Sequence, residues 1–196
     1  MKMNLPNKLT VLRLIMVPIF MVVMLIPSFV DLSESADIIM SIVGVLLFVL
    51  ASFTDMLDGK IARKNNLVTD FGKFLDPLAD KFMVIGAMIC IFYNSSVNGE
   101  HNIAVLYLVS LIVVIFRELA VTSIRLVASS SGGVVIAANK LGKIKTVTQI
   151  VAVCAAIIEP LVYRTVDVTG FVRDFPPFTF IVTILMIIFT LSLIHI

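Results

Sequence analysis

The sequence predicts an all-α, polytopic integral membrane protein: six transmembrane helices forming one domain over residues 1–196, with a polar cavity open to the cytoplasm. Three observations carry this. The 196 residues are 60% hydrophobic and only 14% charged, against about 45–50% apolar and about 25% charged in soluble domains. Six apolar runs alternate with short polar or proline-containing breaks, which leaves no room for a soluble domain of about 100 residues. The basic residues are also strongly partitioned along the chain. The net charge of +2 is too small to suggest nucleic acid as a partner. Cys90 and Cys154 each sit inside an apolar run, so they are packing thiols and not a disulfide framework.

The first run, Leu14–Val30, follows a basic start at Lys2, Lys8 and Arg13. A cleaved signal peptide has the same outline, but no A-x-A-like site follows and its removal would leave five spans, so the run is read as the first helix. Ile38–Thr54 and Phe178–Ile194 have 17 residues, as the first run does, near the length needed to cross. Phe82–Tyr93, Ile103–Phe116 and Thr146–Ile158 have only 12, 14 and 13. They cross only if their cytoplasmic ends include Asp76, Asp80 and Lys81; Arg117, Glu118 and Arg125; and Lys143 and Lys145. Ionisable groups at that depth are costly against lipid, so they are expected to face the shared cavity. Snorkelling to the headgroups is the alternative, and three helices polar at the same end argue against it.

Orientation follows from charge. The N-terminus, the segment from Lys60 to Lys81 and the segment from Arg117 to Lys145 hold 13 of the 15 Lys and Arg. The opposite loops hold Arg164 and Arg173, together with Asp31, Glu34, Asp37, Glu100, Glu159, Asp167 and Asp174. By the positive-inside rule both termini face the cytoplasm.

The densest chemistry spans the end of the second run and the start of the third. Asp55 and Asp58 are three apart and Asp76 and Asp80 four apart, so on helices each pair projects from one face. Four converging carboxylates repel one another unless a hard divalent cation is present. All-oxygen ligation without nearby His or Cys points to Mg²⁺ or Mn²⁺, and four carboxylates suit two ions that jointly hold a phosphate or pyrophosphate. On this reasoning Asp55→Asn leaves the metal-free protein as stable as before, or slightly more so. Pro77 either starts a helix capped by Asp76 or kinks one already begun. Gly59, Ala62 and Gly72 let a bulky ligand approach the backbone or serve helix packing. Arg117, Arg125, Lys143 and Lys145, recessed beside such a site, suit a dianion.

The pattern D-x2-D-G-x2-A-R-x8-G-x3-D-x3-D fits Asp55, Asp58, Gly59, Ala62, Arg63, Gly72, Asp76 and Asp80 without a gap or substitution. It resembles the signature of the CDP-alcohol phosphotransferase family. The segments Asn4–Arg13, Phe116–Arg125 and Lys140–Thr146 extend the resemblance from residue 4 to about 150; the last span matches only in hydrophobicity, and the chain ends in apolar Leu-Ile-His-Ile where family members usually continue into a polar tail. The resemblance implies that Asp55 and Asp76 bridge two metal ions, that Asp58 completes one, and that Asp80 completes the other and acts as general base. It places Asn7, Gly59, Arg63 and Thr69, with Ala62 and Gly72 of the motif, around the CDP moiety. It gives Arg117, Arg125, Lys143 and Lys145 to an acceptor phosphate.

The implied reaction is transfer of a phosphatidyl group from CDP-diacylglycerol to sn-glycerol 3-phosphate at the inner face of the plasma membrane, by a homodimer. Other acceptors in the family are inositol phosphate, serine and phosphatidylglycerol; the basic pocket argues against serine, which carries no phosphate. A divalent-cation transporter is the rival of another class, but the acidic groups cluster at one membrane face instead of continuing across the midplane. The topology is directly testable. A cysteine at Asn98 is expected to react with an impermeant reagent from outside intact cells, and one at Ser130 is not; the reverse pattern inverts the orientation.

Overall fold

The computed structural model describes residues 4–64, 70–130, 140–166 and 176–192, with side chains except at 56–64, 70, 71, 73, 74, 125, 126, 128–130, 140–143, 164 and 165. Within these residues the chain is all-helical. The helices are α1 Leu5–Phe29, α2 Glu34–Lys64, α3 Asp70–Val97, α4 His101–Ser130, α5 Lys140–Thr165 and α6 Pro177–Ser192. Four segments are long and apolar enough to cross a membrane: Leu5–Phe29, Glu34–Asp55, His101–Ile124 and Ile144–Tyr163.

The three short apolar runs lie in helices of 28, 30 and 26 residues. At 1.5 Å per residue even the shortest of these exceeds a hydrocarbon core of about 30 Å. It does so because the helices continue through the polar residues at their ends, as the length argument requires. α1 begins with Pro6 in its first turn, where the missing N–H costs nothing. α2 is capped by Ser33, whose Oγ accepts from the Ala36 N–H at 3.4 Å, and it carries Glu34 and Asp37 in its first turn, favourable to the helix dipole. α3 ends in a Schellman turn: the Glu100 N–H donates to Ser95 O and the Gly99 N–H to Ser96 O. Gly99 sits at φ +76°, the left-handed position that favours glycine.

The chain divides into two compact units, Met1–Cys90 and Ile91–Ile196. In the first, one face of α1 is buried along its length and changes character on the way. It is polar at Asn7, Thr10 and Arg13 and apolar at Val17, Phe20 and Met24. Along the apolar half, Phe20 meets Phe48 of α2 at 5.7 Å between ring centroids. A side chain at Gly44 of α2 would run into the Met24 thioether, and one at Gly86 of α3 would come to 3.0 Å from Met21 Sδ. These small residues bring α2 and α3 close to α1, as in other membrane helix pairs. Ser52 of α2 lies 3.7 Å from Met83 Sδ of α3.

In the second unit a chain of hydrogen bonds joins α4, α5 and α6. Buried Tyr107 donates to Ala152 O at 2.7 Å and accepts from Thr183 Oγ1 at 3.3 Å. Glu159 differs from the sequence expectation, which placed it in a loop. It lies within α5, buried, and accepts from the Phe178 and Thr179 N–H groups at 3.1 and 2.6 Å and from Tyr163 Oη at 2.6 Å. It thus caps the first turn of α6 from another helix, satisfying N–H groups that lipid cannot.

Glu159→Gln keeps the shape of that cap and removes its charge. Hydrogen bonds to charged groups contribute about 1.5–3 kcal/mol, so this variant is expected to melt well below wild type in detergent. Tyr163→Phe, which deletes one donor, is expected to shift the melting temperature less. Equal melting of Glu159→Gln and wild type would show the cap to be inert.

Candidate functional site

The first unit contains the carboxylates. Asp55 lies on α2 and Asp76 and Asp80 on α3, all partly buried. Asp58, Gly59, Ala62 and Arg63 follow Asp55 on α2, with side chains outside the described residues, and Thr69 lies outside them altogether. Gly72 and Asn7 are buried. Pro77 falls inside α3, which begins at Asp70. It therefore interrupts a helix already begun, and Asp76 is not that helix's cap. Asp76 and Asp80 remain one turn apart.

Two residues that sequence reasoning gave no role organise this unit. Arg13 of α1 is completely buried, and its Nη1 lies 2.6 Å from Asp55 Oδ1. Thr10, one turn earlier and 1% exposed, has Oγ1 2.6 Å from Asp76 Oδ1 and 3.2 Å from Pro6 O. A hydroxyl has one proton to give, and the shorter contact to the carboxylate is the stronger. α1 thus reaches Asp55 on one neighbour and Asp76 on the other. The available signal was the spacing Asn7, Thr10, Arg13: polar residues at intervals of three, leading into an apolar helix.

This pairing corrects the stability expectation. Asp55 is not simply one of four mutually repelling charges; it is the anion beside a buried guanidinium. Among the described residues no three acidic, His or Cys side chains form a metal cage, and the Asp58 side chain lies outside them. The donor chemistry nevertheless fits a hard divalent cation: the candidate ligands are all carboxylates, and Arg13 contacts only one of the two Asp55 oxygens.

The second unit contains the basic residues. Arg117 on α4 and Lys145 on α5 are each 8% exposed. Glu118 Oε1 takes both, Arg117 Nη1 at 3.0 Å and Lys145 Nζ in direct contact. Neither cation snorkels to the surface; both are recessed and paired. Arg125 on α4 and Lys143 on α5 have side chains outside the described residues. Glu118, to which the sequence reading gave no separate role, joins two helices through one oxygen.

The chain belongs to the CDP-alcohol phosphatidyltransferase family, whose pattern matches residues 3–193. The match includes the last span, beyond the segments that carried the resemblance. Among its relatives is the "CDP-diacylglycerol--glycerol-3-phosphate 3-phosphatidyltransferase" of Bacillus subtilis (strain 168), 46% identical over 167 residues, 84% of this chain and 81% of the relative. Proteins of the same name from Haemophilus influenzae and Rickettsia felis are 36% and 34% identical, covering 78% and 79% of this chain and 74% and 75% of their own.

The Arg13–Asp55 pair changes the expected behaviour of Asp55→Asn. Removing one partner of a fully buried pair costs roughly 3–5 kcal/mol, and Asp55 keeps 34% side-chain exposure, so a loss of about 2 kcal/mol is expected. The metal-free variant should melt below wild type in detergent. Unchanged or higher stability would restore the simple repulsion picture.

Proposed function

We propose that the protein transfers the phosphatidyl group of CDP-diacylglycerol to sn-glycerol 3-phosphate, giving phosphatidylglycerophosphate and CMP. The observation that carries this reading most directly is the family membership together with relatives named for that reaction over about four fifths of the chain. The unbroken aspartate motif belongs to that family match, and the recessed Arg117–Glu118–Lys145 cluster supports the reading separately.

The chemistry is a substitution at phosphorus. The acceptor's hydroxyl oxygen bonds to the phosphorus that carries diacylglycerol, the bond from that phosphorus to the CMP oxygen breaks, and the hydroxyl proton passes to Asp80. Asp55, Asp58, Asp76 and Asp80 would hold Mg²⁺ or Mn²⁺, which when bound would neutralise charge on the pyrophosphate and on departing CMP. Asn7, Gly59, Ala62, Arg63, Thr69 and Gly72 hold the CDP moiety. Arg117, Arg125, Lys143 and Lys145 take the acceptor's phosphate as charge-assisted donors. Glu118 cancels part of their charge, which leaves the group attractive to a dianion without leaving Arg117 and Lys145 buried side by side unpaired.

The architecture suits a lipid donor, whose acyl chains stay in the bilayer while CDP and the soluble acceptor enter from the cytoplasm. Six crossings rest on the apolar runs, cytoplasmic termini on the charge partition, and a plasma-membrane location on the resemblance. Treating residues 1–196 as one functional domain is supported by the family match running through both compact units. The homodimer rests on the resemblance alone. A member acting on another acceptor is the second reading, and the recessed cations favour a phosphorylated one.

Acceptor choice is the test. CMP release from CDP-diacylglycerol by the purified protein is expected to require glycerol 3-phosphate, and Arg125→Ala is expected to raise the KM for that acceptor far more than for the lipid donor. Equal turnover of unphosphorylated glycerol contradicts the assignment. Asp80→Asn is expected to lose about 10²–10⁴-fold in rate, as general-base removal does, while donor binding with Mg²⁺ stays within tenfold of wild type. Donor binding lost in parallel with turnover would make Asp80 a ligand alone.

A further inference from the structure

The polar stretch of α1 does more than fill space between its neighbours. Arg13 and Thr10 lie one turn apart on the buried face of that helix, yet they reach acidic residues on two different helices. Arg13 contacts Asp55 of α2 and Thr10 contacts Asp76 of α3, each at 2.6 Å and each through Oδ1. We propose that Thr10 and Arg13 are positioning residues for a divalent-cation site, with α1 acting as the strut that orients the Asp55 and Asp76 carboxylates. The proposal rests on the reading that these aspartates hold metal.

The geometry favours positioning over mere packing for three reasons. First, each contact engages one oxygen of its carboxylate. An ionised carboxylate has two oxygens and about four acceptor sites, so a partner on Oδ1 restrains side-chain rotation and leaves capacity for a cation. Second, the two partners differ in kind. Arg13 forms an ion pair that brings a full positive charge to Asp55, which offsets repulsion from the neighbouring acids before any metal arrives. Thr10 donates a neutral hydroxyl to Asp76, which orients that carboxylate without adding a charge that opposes a cation. Third, both partners are anchored. Arg13 has no exposure and Thr10 has 1%, and below them the same helix face is packed through Val17 and Phe20. A threonine and an arginine so confined cannot follow a carboxylate that moves, so the carboxylates take their places from α1.

Metal ligands usually have such partners, and losing one typically costs about 10–100-fold in metal affinity. The experiment is Mn²⁺ titration of the full-length, detergent-purified protein, reading free Mn²⁺ by electron paramagnetic resonance, alongside the melting temperature of the metal-free form. Thr10→Val keeps the side chain's shape and removes its hydroxyl. It is expected to weaken Mn²⁺ binding about 10-fold or more, and Thr10→Ser, which restores the donor, is expected to recover wild-type affinity. Wild-type affinity in Thr10→Val overturns the proposal for Asp76. Arg13→Lys keeps the charge but loses the planar, multi-donor geometry; it too is expected to bind Mn²⁺ more weakly, and undiminished affinity overturns the proposal for Asp55. If Thr10→Val fails to fold, the Arg13→Lys result decides. Asp76→Asn separates the two levels of argument. If it binds Mn²⁺ as wild type does, the metal reading itself fails; if it loses Mn²⁺ while Thr10→Val and Arg13→Lys do not, only the positioning role fails.

Discussion

A guanidinium with no exposure, set within a helix of membrane length, must have an anion beside it, and in this protein that anion is Asp55. An arginine at the centre of a membrane span costs about 2.5–3.5 kcal/mol on insertion scales, and one stripped of its partner in a protein interior costs more. The pairing therefore constrains everything near it. It sets α2 against α1, fixes which face of α1 is buried, and places Thr10, one turn away, against Asp76 of α3. The glycines at 44 and 86 follow from the same arrangement, because helices drawn together by polar contacts at one end must also pack closely along the rest of their length.

The second unit obeys the same rule with other residues. Arg117 and Lys145 are recessed and share Glu118, while Glu159 is buried against the N–H groups that open α6. Lys145 and Glu159 are each satisfied by a group from another helix, so these polar residues act as fasteners in a solvent that offers none. In the proposed reaction, function would draw on the same contacts: the carboxylates that hold α1 in place would hold the divalent cation, and the cations held by a glutamate would take the acceptor's phosphate. For this reason single substitutions in the polar layer are expected to affect both folding and chemistry.

Much of this was legible in the sequence. The short third, fourth and fifth apolar runs required helices that continue through charged residues, and α3, α4 and α5 do so. The spacing of Asp76 and Asp80 required one helix face, and both lie on α3, partly buried. What was not legible depends on contacts distant in the chain. Nothing local to Arg13 names Asp55 as its partner, 42 positions on, and so the repulsion argument for Asp55 left out the buried cation beside it. Glu159 looked like a loop acid because its partners, at 178 and 179, lie beyond a polar connection and become neighbours only when α6 packs on α5. Pro77 was ambiguous because both helix starts and kinked helices accept proline; the start of α3 at Asp70 decides it.

The central claim, that α1 holds the carboxylates of α2 and α3 in place for divalent cations, is tested most directly by anomalous scattering from crystals of the full chain grown with Mn²⁺. The account predicts Mn²⁺ peaks in oxygen-coordination contact with Asp55 and Asp76, with Arg13 and Thr10 still within hydrogen-bonding distance of those same side chains. Mn²⁺ bound only away from these aspartates, or bound there with both α1 contacts broken, would contradict it.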